Sequence, residues 1–530
     1  MNYNIKNLFV FIWVVWFSII NLSAQSCWTD GTPATAAFAT GGTGNFKDKI
    51  LWLTWGTKLQ SEVTQYPYGK NLVRIVNGDV SRARIDMGNG RFLCIEAKIS
   101  NIEGLAITDT STGSGQILNG ETTVDVGWQL NSYRSGGYFE DGFDNMYNIG
   151  GSNENNRLVS GIRNSRVGSK ITFQITCTAT LDGVPVRLPG MVLADAESMA
   201  PYGPDDTPYE YISAKGKGVW NVIDMKKDLT SLGTYNGVYN VRKTQETGGY
   251  STLRFGQGNG PSAAVAALLF NADAYGSELN NYAVTFDVTL QGGGGTALAL
   301  GLLRPAIDGG DIPSSYGSPL HIIDDFKPVS DGLKDNTIYN INSSSFNPGG
   351  FVSSNAGYLG TVFPDGFGGV LSGKNALGDD NTGPAGSNEE DAWPLALRSF
   401  SYKKYYKIND VITAVIPYKP EVGKSGYIYG WIAFNLNGKF DADEVATSLA
   451  PATGTSVNLV WVVPNKRRIG STYVRLRYVY DRTNLITSTS ELEQLGSSLI
   501  VTNGEIEDTR ILIQGPAIVN PVINNDGKIK

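Results

Sequence analysis

The chain has 530 residues and a net charge of −7, from 43 basic and 50 acidic residues. The basic residues do not cluster, which argues against nucleic acid as a partner. With 64 glycines, 11% aromatic and only 18% charged residues, the composition is typical of exported all-β proteins with long surface loops. One histidine and three cysteines also exclude a zinc site built from several histidines.

Residues 1–24 have the pattern of a secretory signal peptide. Lys6 precedes an apolar run from Leu8 to about Ile20, and small residues end at Ala24. The run is too short for a stable membrane span, so the pattern predicts cleavage near Ala24 and a secreted or cell-surface protein. No second stretch of spanning length follows, and we expect no membrane span in the mature chain.

Residues 27–305 form a series of short β-patterned runs separated by turns rich in Gly, Asn, Asp and Ser. From Ile171 to Cys177, apolar and polar residues alternate, which is typical of a strand with one buried side. Many such strands without amphipathic helices predict a jelly-roll β-sandwich. The glycines at 256–260 lack the spacing of a dinucleotide-binding loop, and we interpret them as a turn between two buried strands.

The cysteines and the histidine limit both the covalent framework and the chemistry. Cys27, Cys94 and Cys177 allow at most one internal disulfide, and the sequence does not settle which. The strand-like runs around Cys94 and Cys177 favour that pair. A Ser–His–Asp system would have to use His321, but no nucleophile-elbow pattern accompanies it. We therefore interpret His321 as a packed or hydrogen-bonded structural residue.

The second half of the chain predicts three further regions. Residues 306–377 are rich in Gly, Ser, Pro and Asn with little periodicity, which indicates an irregular connector. Residues 378–514 return to β-patterned runs whose number and length fit a smaller immunoglobulin-like sandwich. Residues 515–530 form a linker-like tail. The predicted fold class is therefore all-β.

Several motifs follow one another in a fixed order. "GDIPSSYGSPLHII" and "GDDNTGPAGSNEEDAWP" precede "GWIAFNLNGKFDADE", "TYVRLRYVY" and Gly504-Glu505-Ile506-Glu507-Asp508. Over about residues 308–514 these motifs resemble the GEVED domain of bacterial secreted surface proteins. Over about residues 27–303, "ATGGTGNFKDKILWLTWG", "GFDNMYNIGG" and "VPVRLPGMVLADAES" resemble the non-repetitive domain of CshA-type fibrillar adhesins.

The resemblance implies a lectin-like jelly-roll sandwich that serves in adhesion, followed by the smaller immunoglobulin-like sandwich. It predicts a secreted or surface-exposed adhesin-like protein that recognises a host or matrix glycoprotein or glycan, with the GEVED domain as stalk or spacer. Two alternatives stay open: a carbohydrate-binding or carboxylate-dependent glycoside hydrolase protein, and a structural surface-fibre component. We expect no enzymatic activity, and the oligomeric state is not readable from the sequence.

The candidate ligand surface is one stretch of acids, amides and aromatic rings. Lectin sandwiches often place such residues beside a sugar, where rings stack on the sugar face and oxygens hold calcium. The alternative is a long loop whose aromatic rings pack onto the core. The residues concerned are Tyr138, Asp141, Asp144, Asn145 and Tyr147.

A second candidate site has the spacing of a calcium loop. Glycine stands at the sixth position of the loop, Gly438, but the first position is alanine, Ala433, instead of a carboxylate. The pattern is therefore compatible with a weak calcium site or with a structural turn, and calcium is the one cofactor that the sequence suggests. The remaining ligand positions are Asn435, Asn437, Lys439 (through its carbonyl), Asp441 and Glu444.

Two further groups of charged residues need an interpretation. Asp195 and Glu197 share a strand face, as in some retaining glycosidases, but no third acid completes the pattern and we predict no catalytic residue. Two arginines also share a strand face, and we expect them to form bidentate pairs with carboxylates that brace the second sandwich. The residues of this structural motif are Arg475, Arg477, Glu505, Glu507 and Asp508.

Overall fold

The computed structural model describes residues 27–514 with internal gaps. The gaps are residues 56–74, 88–90, 108–114, 119–129, 134–141, 151–157, 159–160, 165–168, 197–210, 228, 230–237, 257–261, 292–295, 324–325, 354–355, 365–372, 377–389, 399–406 and 481–484. The described residues form mostly strands, with few helices, so the predicted all-β class is confirmed. The predicted signal peptide and the C-terminal tail lie outside the described residues.

The N-terminal block consists of antiparallel strands and one short helix. The strands are β1 (Ala37–Phe38), β2 (Ile50–Trp52), β3 (Val80–Asp86), β4 (Phe92–Ile107), β5 (Gly115–Leu118), β6 (Leu130–Tyr133), β7 (Gly161–Asn164), β8 (Ser169–Leu181), β9 (Val184–Val186), β10 (Gly190–Asp195), β11 (Tyr211–Lys226), β12 (Asn240–Gln245), β13 (Tyr250–Gly256), β14 (Ala263–Phe270), β15 (Val284–Gln291) and β16 (Ala297–Leu303), and the helix is α1 (Gly142–Met146).

These strands form two layers that share a hydrophobic core. The first layer runs β1-β2-β16-β10-β14, and β7 also pairs with β16 and carries β6 on its other side. The second layer runs β3-β4-β8-β15-β11-β13-β12. Strand β11 belongs to both, because its residues beyond Gly218 pair with β14. A Cβ atom at Gly218 would lie 1.9 Å from the carbonyl oxygen of Leu269, so the crossing requires glycine.

The two layers differ in burial, and the difference explains their sequence patterns. In the second layer, alternate residues such as Ile171 and Phe173 enter the core and the others face solvent. The first layer is covered on both faces, since Leu268 points into the core between the layers and Val265 packs beneath helix α1 with Trp52. The continuous apolar runs of β14 and β16 follow from this double burial.

The disulfide joins Cys27 to Cys94, so the preference for a Cys94–Cys177 pair is wrong. In the pairing of β4 with β8, Cys94 lies opposite Thr180 and Cys177 lies opposite Ala97. Since successive strand residues point to opposite faces, the two side chains are on opposite sides of the layer. Cys177 is a free thiol, fully buried in the core. Cys94 therefore pairs with the N-terminal segment on the other face.

The rest of the chain contains a connector and a second block. The strands are β17 (Ala306–Gly309), β18 (Leu320–Ile323), β19 (Phe326–Pro328), β20 (Ile338–Asn340), β21 (Phe351–Ser353), β22 (Tyr358–Leu359), β23 (Val411–Lys419), β24 (Gly426–Ile432), β25 (Val445–Ala450), β26 (Ser456–Val462), β27 (Gly470–Val479), β28 (Ile500–Thr502) and β29 (Glu505–Ile513), and the helix is α2 (Thr489–Ser497). Sheets β22-β23-β26 and β25-β24-β27-β29 enclose the second core. The jelly-roll and immunoglobulin-like connectivities stay predictions.

The connector contacts both blocks in turn. Its first hairpin, β17–β18, pairs through β18 in parallel with β28 of the second block. The chain then returns to the first block, where β20 pairs with β12. There the buried carboxylate of Asp331 forms a 2.6 Å ion pair with Lys243 and accepts a hydrogen bond from the Val222 amide. Two passes of the connector are thus fixed to different cores.

Candidate functional site

Helix α1 and the glycine-rich turn before β2 are packed tightly together. Gly41 forms an isolated antiparallel bridge with Asn148, and the Thr43 amide donates to the carbonyl of Asn145 at 2.9 Å. A Cβ atom at Gly44 would lie 2.4 Å from the ring of Tyr147. The "GGTG" sequence is therefore required by the close approach of this turn to the helix.

A buried carboxylate at the base of this region holds the turn and the helix together. Asp224 accepts hydrogen bonds from the Tyr147 hydroxyl at 2.7 Å, from the Asn45 amide at 2.9 Å and from the Asn45 side chain at 3.1 Å. Burial, followed by the charge of Asp224, raises the pKa of Tyr147 well above its usual value. The phenol therefore stays a hydrogen-bond donor, and the network serves as an anchor.

The structure separates the predicted ligand residues into three groups. Tyr147 is fully buried and packs edge-on against Trp52, so its ring is part of the core. Asp144 is buried and Asn145 is half-buried, both on α1. Tyr138 and Asp141 lie outside the described residues. For all five residues, ligand binding stays a prediction.

The acidic pair considered for glycosidase chemistry is only half described. Asp195 is 2% exposed at the end of β10 and accepts a hydrogen bond from the Tyr239 hydroxyl at 2.8 Å. Burial raises the pKa of Tyr239 well above its usual value, so the phenol is a permanent donor to this carboxylate. Glu197 lies outside the described residues.

The calcium-like loop is closed by its own hydrogen bonds. The side-chain oxygen of Asn435 accepts from the Asn437 amide at 2.8 Å, and that of Asn437 accepts from the Lys439 amide at 3.0 Å. Glu444 accepts from the amides of Asn435 and Asp441 at 3.2 and 3.1 Å. The side-chain oxygens of Asn435, Asn437 and Glu444 thus bond backbone amides, while Asp441 Oδ2 accepts from the Asn435 side chain at 2.7 Å. In the described ranges, no group of three or more His, Cys, Asp and Glu side chains is arranged to hold a metal.

A lysine occupies the charged side of the loop. Lys466 Nζ lies 2.9 Å from Asp441 Oδ2 and 2.6 Å from Asp443 Oδ1. Burial would raise the pKa of Asp441, but hydrogen bonds from Lys466 and Asn435 outweigh it and lower that pKa. Burial raises the pKa of Glu444 to about 7. The loop therefore already contains a cation beside its principal carboxylate.

Arg475 and Asp508 form a bidentate ion pair with no solvent exposure. Arg475 Nε lies 2.8 Å from Asp508 Oδ1, and Nη2 lies 2.7 Å from Oδ2. The remaining guanidinium nitrogen donates to the carbonyl of Gly496 at 2.7 Å and to that of Tyr316 at 3.3 Å. A buried charge pair of this kind needs all these donors matched. The arginine thus links β27 to the connector and to helix α2.

Arg477 forms a buried hydrogen bond with the histidine, His321. Its Nε donates to His321 Nε2 at 2.9 Å, and the other ring nitrogen, Nδ1, lies 3.0 Å from the carbonyl of Asn503. Since Nε2 accepts, Nδ1 carries the proton and donates. Burial, together with the charge of Arg477, lowers the pKa of His321 well below its usual value. His321 is buried and hydrogen-bonded, as the sequence predicts, and it is neutral.

The acidic residues of β29 bind the backbone of neighbouring segments. Glu505 Oε2 accepts from the Leu359 amide, and Glu507 Oε2 accepts from the Ala392 amide at 2.9 Å. Burial, with the charges of nearby aspartates, raises the pKa of Glu507 well above its usual value. These side chains thus satisfy the amides of Leu359, at the end of the short strand β22, and of Ala392, in a segment outside the strands.

Two acidic residues outside the motif, Asp308 and Glu390, accept hydrogen bonds from backbone amides of β29. Asp308 Oδ2 accepts from the Ile506 amide at 2.8 Å, and Glu390 Oε2 accepts from the Asp508 amide at 2.6 Å. We call this set the carboxylate clasp: Asp308, Glu390, Glu505, Glu507 and Asp508. Sequence reasoning missed both residues as partners, although Glu390 lies within a quoted motif and Asp308 lies two residues before another. It expected side-chain pairs and overlooked the backbone as a partner.

Comparisons with known proteins agree with the motifs. Residues 48–303 match the family model described as surface adhesin CshA non-repetitive domain 2, and residues 427–511 match that of the GEVED domain. No curated protein matches. Among solved structures, the N-terminal domain of the Streptococcus gordonii adhesin Sgo0707 is 7% identical, with 91% of this chain and 95% of that chain covered and a TM-score of 0.31. A likeness at that score carries no argument, and the similarity to known families rests on the two regional matches.

No helix in the described part of the chain is both long and apolar enough to cross a membrane.

Proposed function

Since the chain carries a CshA-type non-repetitive region followed by a GEVED region, we propose that it is a secreted or surface-exposed bacterial adhesin-like protein. It recognises a host or matrix glycoprotein or glycan through its N-terminal block, and the GEVED block acts as stalk or spacer. The match of residues 48–303 to a surface-adhesin domain carries this proposal. A two-layer β scaffold that holds loops at its ends is compatible with it.

The region around helix α1 is the proposed ligand surface. Asp224 and Tyr147 hold the helix from below, and such a fixed base reduces the entropy lost when a ligand binds. Asn145 is half-buried on this helix and can reach a ligand, while Asp144 lies deeper. Tyr138 and Asp141 precede the helix in sequence and complete the proposed surface.

We assign no catalytic role to any residue. The carboxylate of Asp195 is buried and already accepts the Tyr239 hydroxyl, so it lacks the open position that a nucleophile or general acid needs. Binding, without turnover, is the function that this environment supports.

An array of glycans and matrix proteins, probed with the mature chain, tests the proposal. We expect binding to glycosylated targets, and at least about tenfold weaker binding for Asn145→Ala, a fold-change equivalent to about 1.4 kcal/mol. Asn458→Ala, the same change at an exposed position of β26, is the matched control and should bind like the native chain. Failure to bind any target, or equal binding by both variants, would contradict the proposed surface.

A structural surface-fibre component is the second candidate function, and one surface favours it. Val411, Val415, Val460 and Val462 are 58%, 54%, 51% and 59% exposed on the solvent face of β23 and β26. Apolar surface of this kind often marks a contact with another molecule. Self-association on a sizing column that Val415→Thr with Val460→Thr abolishes would support a fibre, whereas a monomer at high concentration would argue against it.

A further inference from the structure

The solvent face of the second layer carries a group of cations on three neighbouring strands. Lys215 and Lys217 lie on β11, Arg254 lies on β13 and Arg242 lies on β12, and all four side chains reach solvent. We call this group the basic face. The only described carboxylate that forms an ion pair with it is Glu246, which contacts Lys215 at 2.5 Å. Since the chain as a whole has a net charge of −7, this local excess of positive charge suggests an anionic ligand.

The two arginines of the basic face stand directly opposite each other. Arg242 and Arg254 are register partners in the β12–β13 pairing. Like charges at such positions destabilise a sheet, because the Cβ atoms are about 5 Å apart. Arg242 donates to the side-chain oxygen of Asn336 at 3.1 Å, and Arg254 stacks 3.8 Å above the ring of Tyr211. Neither forms an ion pair with a described residue.

Hydrogen-bond donors continue from the arginines across the sheet. The next register partner of Arg254 is Ser213 on β11, and that of Ser213 is Thr289 on β15. With strands about 4.8 Å apart, the row from Arg242 to Thr289 spans about 14 Å. It contains two guanidinium groups and two hydroxyls, and no carboxylate. Such a row is complementary to a line of anionic oxygens.

We propose that the basic face binds an extended anionic glycan, whose sulfate or carboxylate groups pair with Arg242 and Arg254. The amides and carbonyls of these central strands are already used in the sheet, so a peptide could not add itself as a further strand here. A ligand on this face must therefore be bound through side chains alone. The Arg, Ser and Thr side chains of the row can hydrogen-bond both the hydroxyls and the anionic groups of a glycan.

This surface is separate from the one proposed around helix α1. The helix packs on the outer side of the first layer, whereas the basic face is on the outer side of the second. The inference goes beyond the proposed function, since it adds a ligand class and a second surface on the same block. Loss of one binding activity therefore need not affect the other.

Heparin is the probe for this proposal, with chemically desulfated heparin and poly-L-glutamate as comparison ligands. We expect the full mature chain to bind heparin, with an affinity that falls as salt rises. Arg242→Gln with Arg254→Gln should weaken binding at least about tenfold. Arg242→Lys with Arg254→Lys should keep most of it. Arg84→Gln, an exposed arginine that stacks on Phe92 at the far edge of the same layer, is the matched control and should change affinity less than about twofold.

Thermal melting of the same variants separates a binding role from a structural one. Because the two arginines repel each other, the glutamine variant should melt at the native temperature or above it. Absence of heparin binding by the native chain, unchanged binding by the glutamine variant, or equal binding of poly-L-glutamate would each overturn the proposal. If the chain binds its array targets but not heparin, only the basic face is refuted and the proposed adhesive function stands.

Discussion

Replacing Asp508 by alanine should destabilise the second block by about 3–5 kcal/mol. Both Asp508 and Arg475 are 0% exposed, and two hydrogen bonds of 2.8 and 2.7 Å join them. Without the carboxylate, the guanidinium keeps its donors to Gly496 and Tyr316 but no longer has a neighbouring negative charge. The amide of Ile312 also loses an acceptor at 3.3 Å. The cost is therefore that of an uncompensated buried charge.

Hydrogen exchange over β27 and β29 during chemical denaturation measures this loss. Glu421→Ala is the control, because it breaks a 2.9 Å ion pair with Lys424 at the surface. The Glu421 side chain is 26% exposed and that of Lys424 is 46% exposed. Surface ion pairs of this kind contribute about 0–1 kcal/mol. Arg475→Met with Asp508→Leu should recover most of the loss, since it removes both buried charges. Equal destabilisation by Asp508→Ala and Glu421→Ala would refute the reasoning.

The remaining predictions concern His321, the cysteines and the calcium-like loop. The pKa of His321 is lowered in the folded state, so the unfolded chain binds the extra proton and stability falls as pH drops below about 6.5; His321→Gln should flatten that slope in melts between pH 5 and 7. Cys177 should resist thiol reagents until the chain unfolds, while reduction of Cys27–Cys94 should cost about 2–4 kcal/mol, seen as a lower denaturation midpoint. Chelator should leave the melting temperature unchanged, but Lys466→Ala should lower it; the reverse result would indicate calcium in the loop.

The local sequence pattern was sufficient to predict the all-β fold class and many of the strands. The alternation from Ile171 to Cys177 predicted a half-buried strand, and the structure has β8 there with one face in the core. The glycine spacing at 256–260 led to a turn between two buried strands instead of a dinucleotide loop and helix, and the apolar run after it is indeed the buried strand β14. Both inferences depend only on residues close together in sequence.

Features that depend on register or on distant partners could not be read in this way. Whether Cys94 faces Cys177 depends on the β4–β8 register, and a shift of one residue reverses it. The burial of Tyr147 depends on Asp224, 77 residues away. The aromatic stretch that ends at Tyr147 has the same composition whether its rings bind sugars or fill a core.

The carboxylate clasp gives a physical reason for an acidic motif inside a core. Glu505 and Glu507 are each 1% exposed, where an unpartnered carboxylate would be costly. The amides that they satisfy belong to Leu359, the last residue of the short strand β22, and to Ala392, in a segment outside the strands. The acidic side chains and these amides therefore satisfy one another. An apolar replacement of the two glutamates would leave both amides without these acceptors, so the buried carboxylates serve neighbouring segments of the chain and not the solvent.

The clasp also bears on the stalk proposed for the second block. A spacer transmits the position of a binding domain only if the segment between them is fixed at both ends. Here Asp308 bonds the Ile506 amide of the second block, and Asp331 bonds Lys243 of the first. The connector sequence between these two points is short, and both contacts are buried. A connector held in this way is attached to both cores, which is a property that the proposed stalk would need.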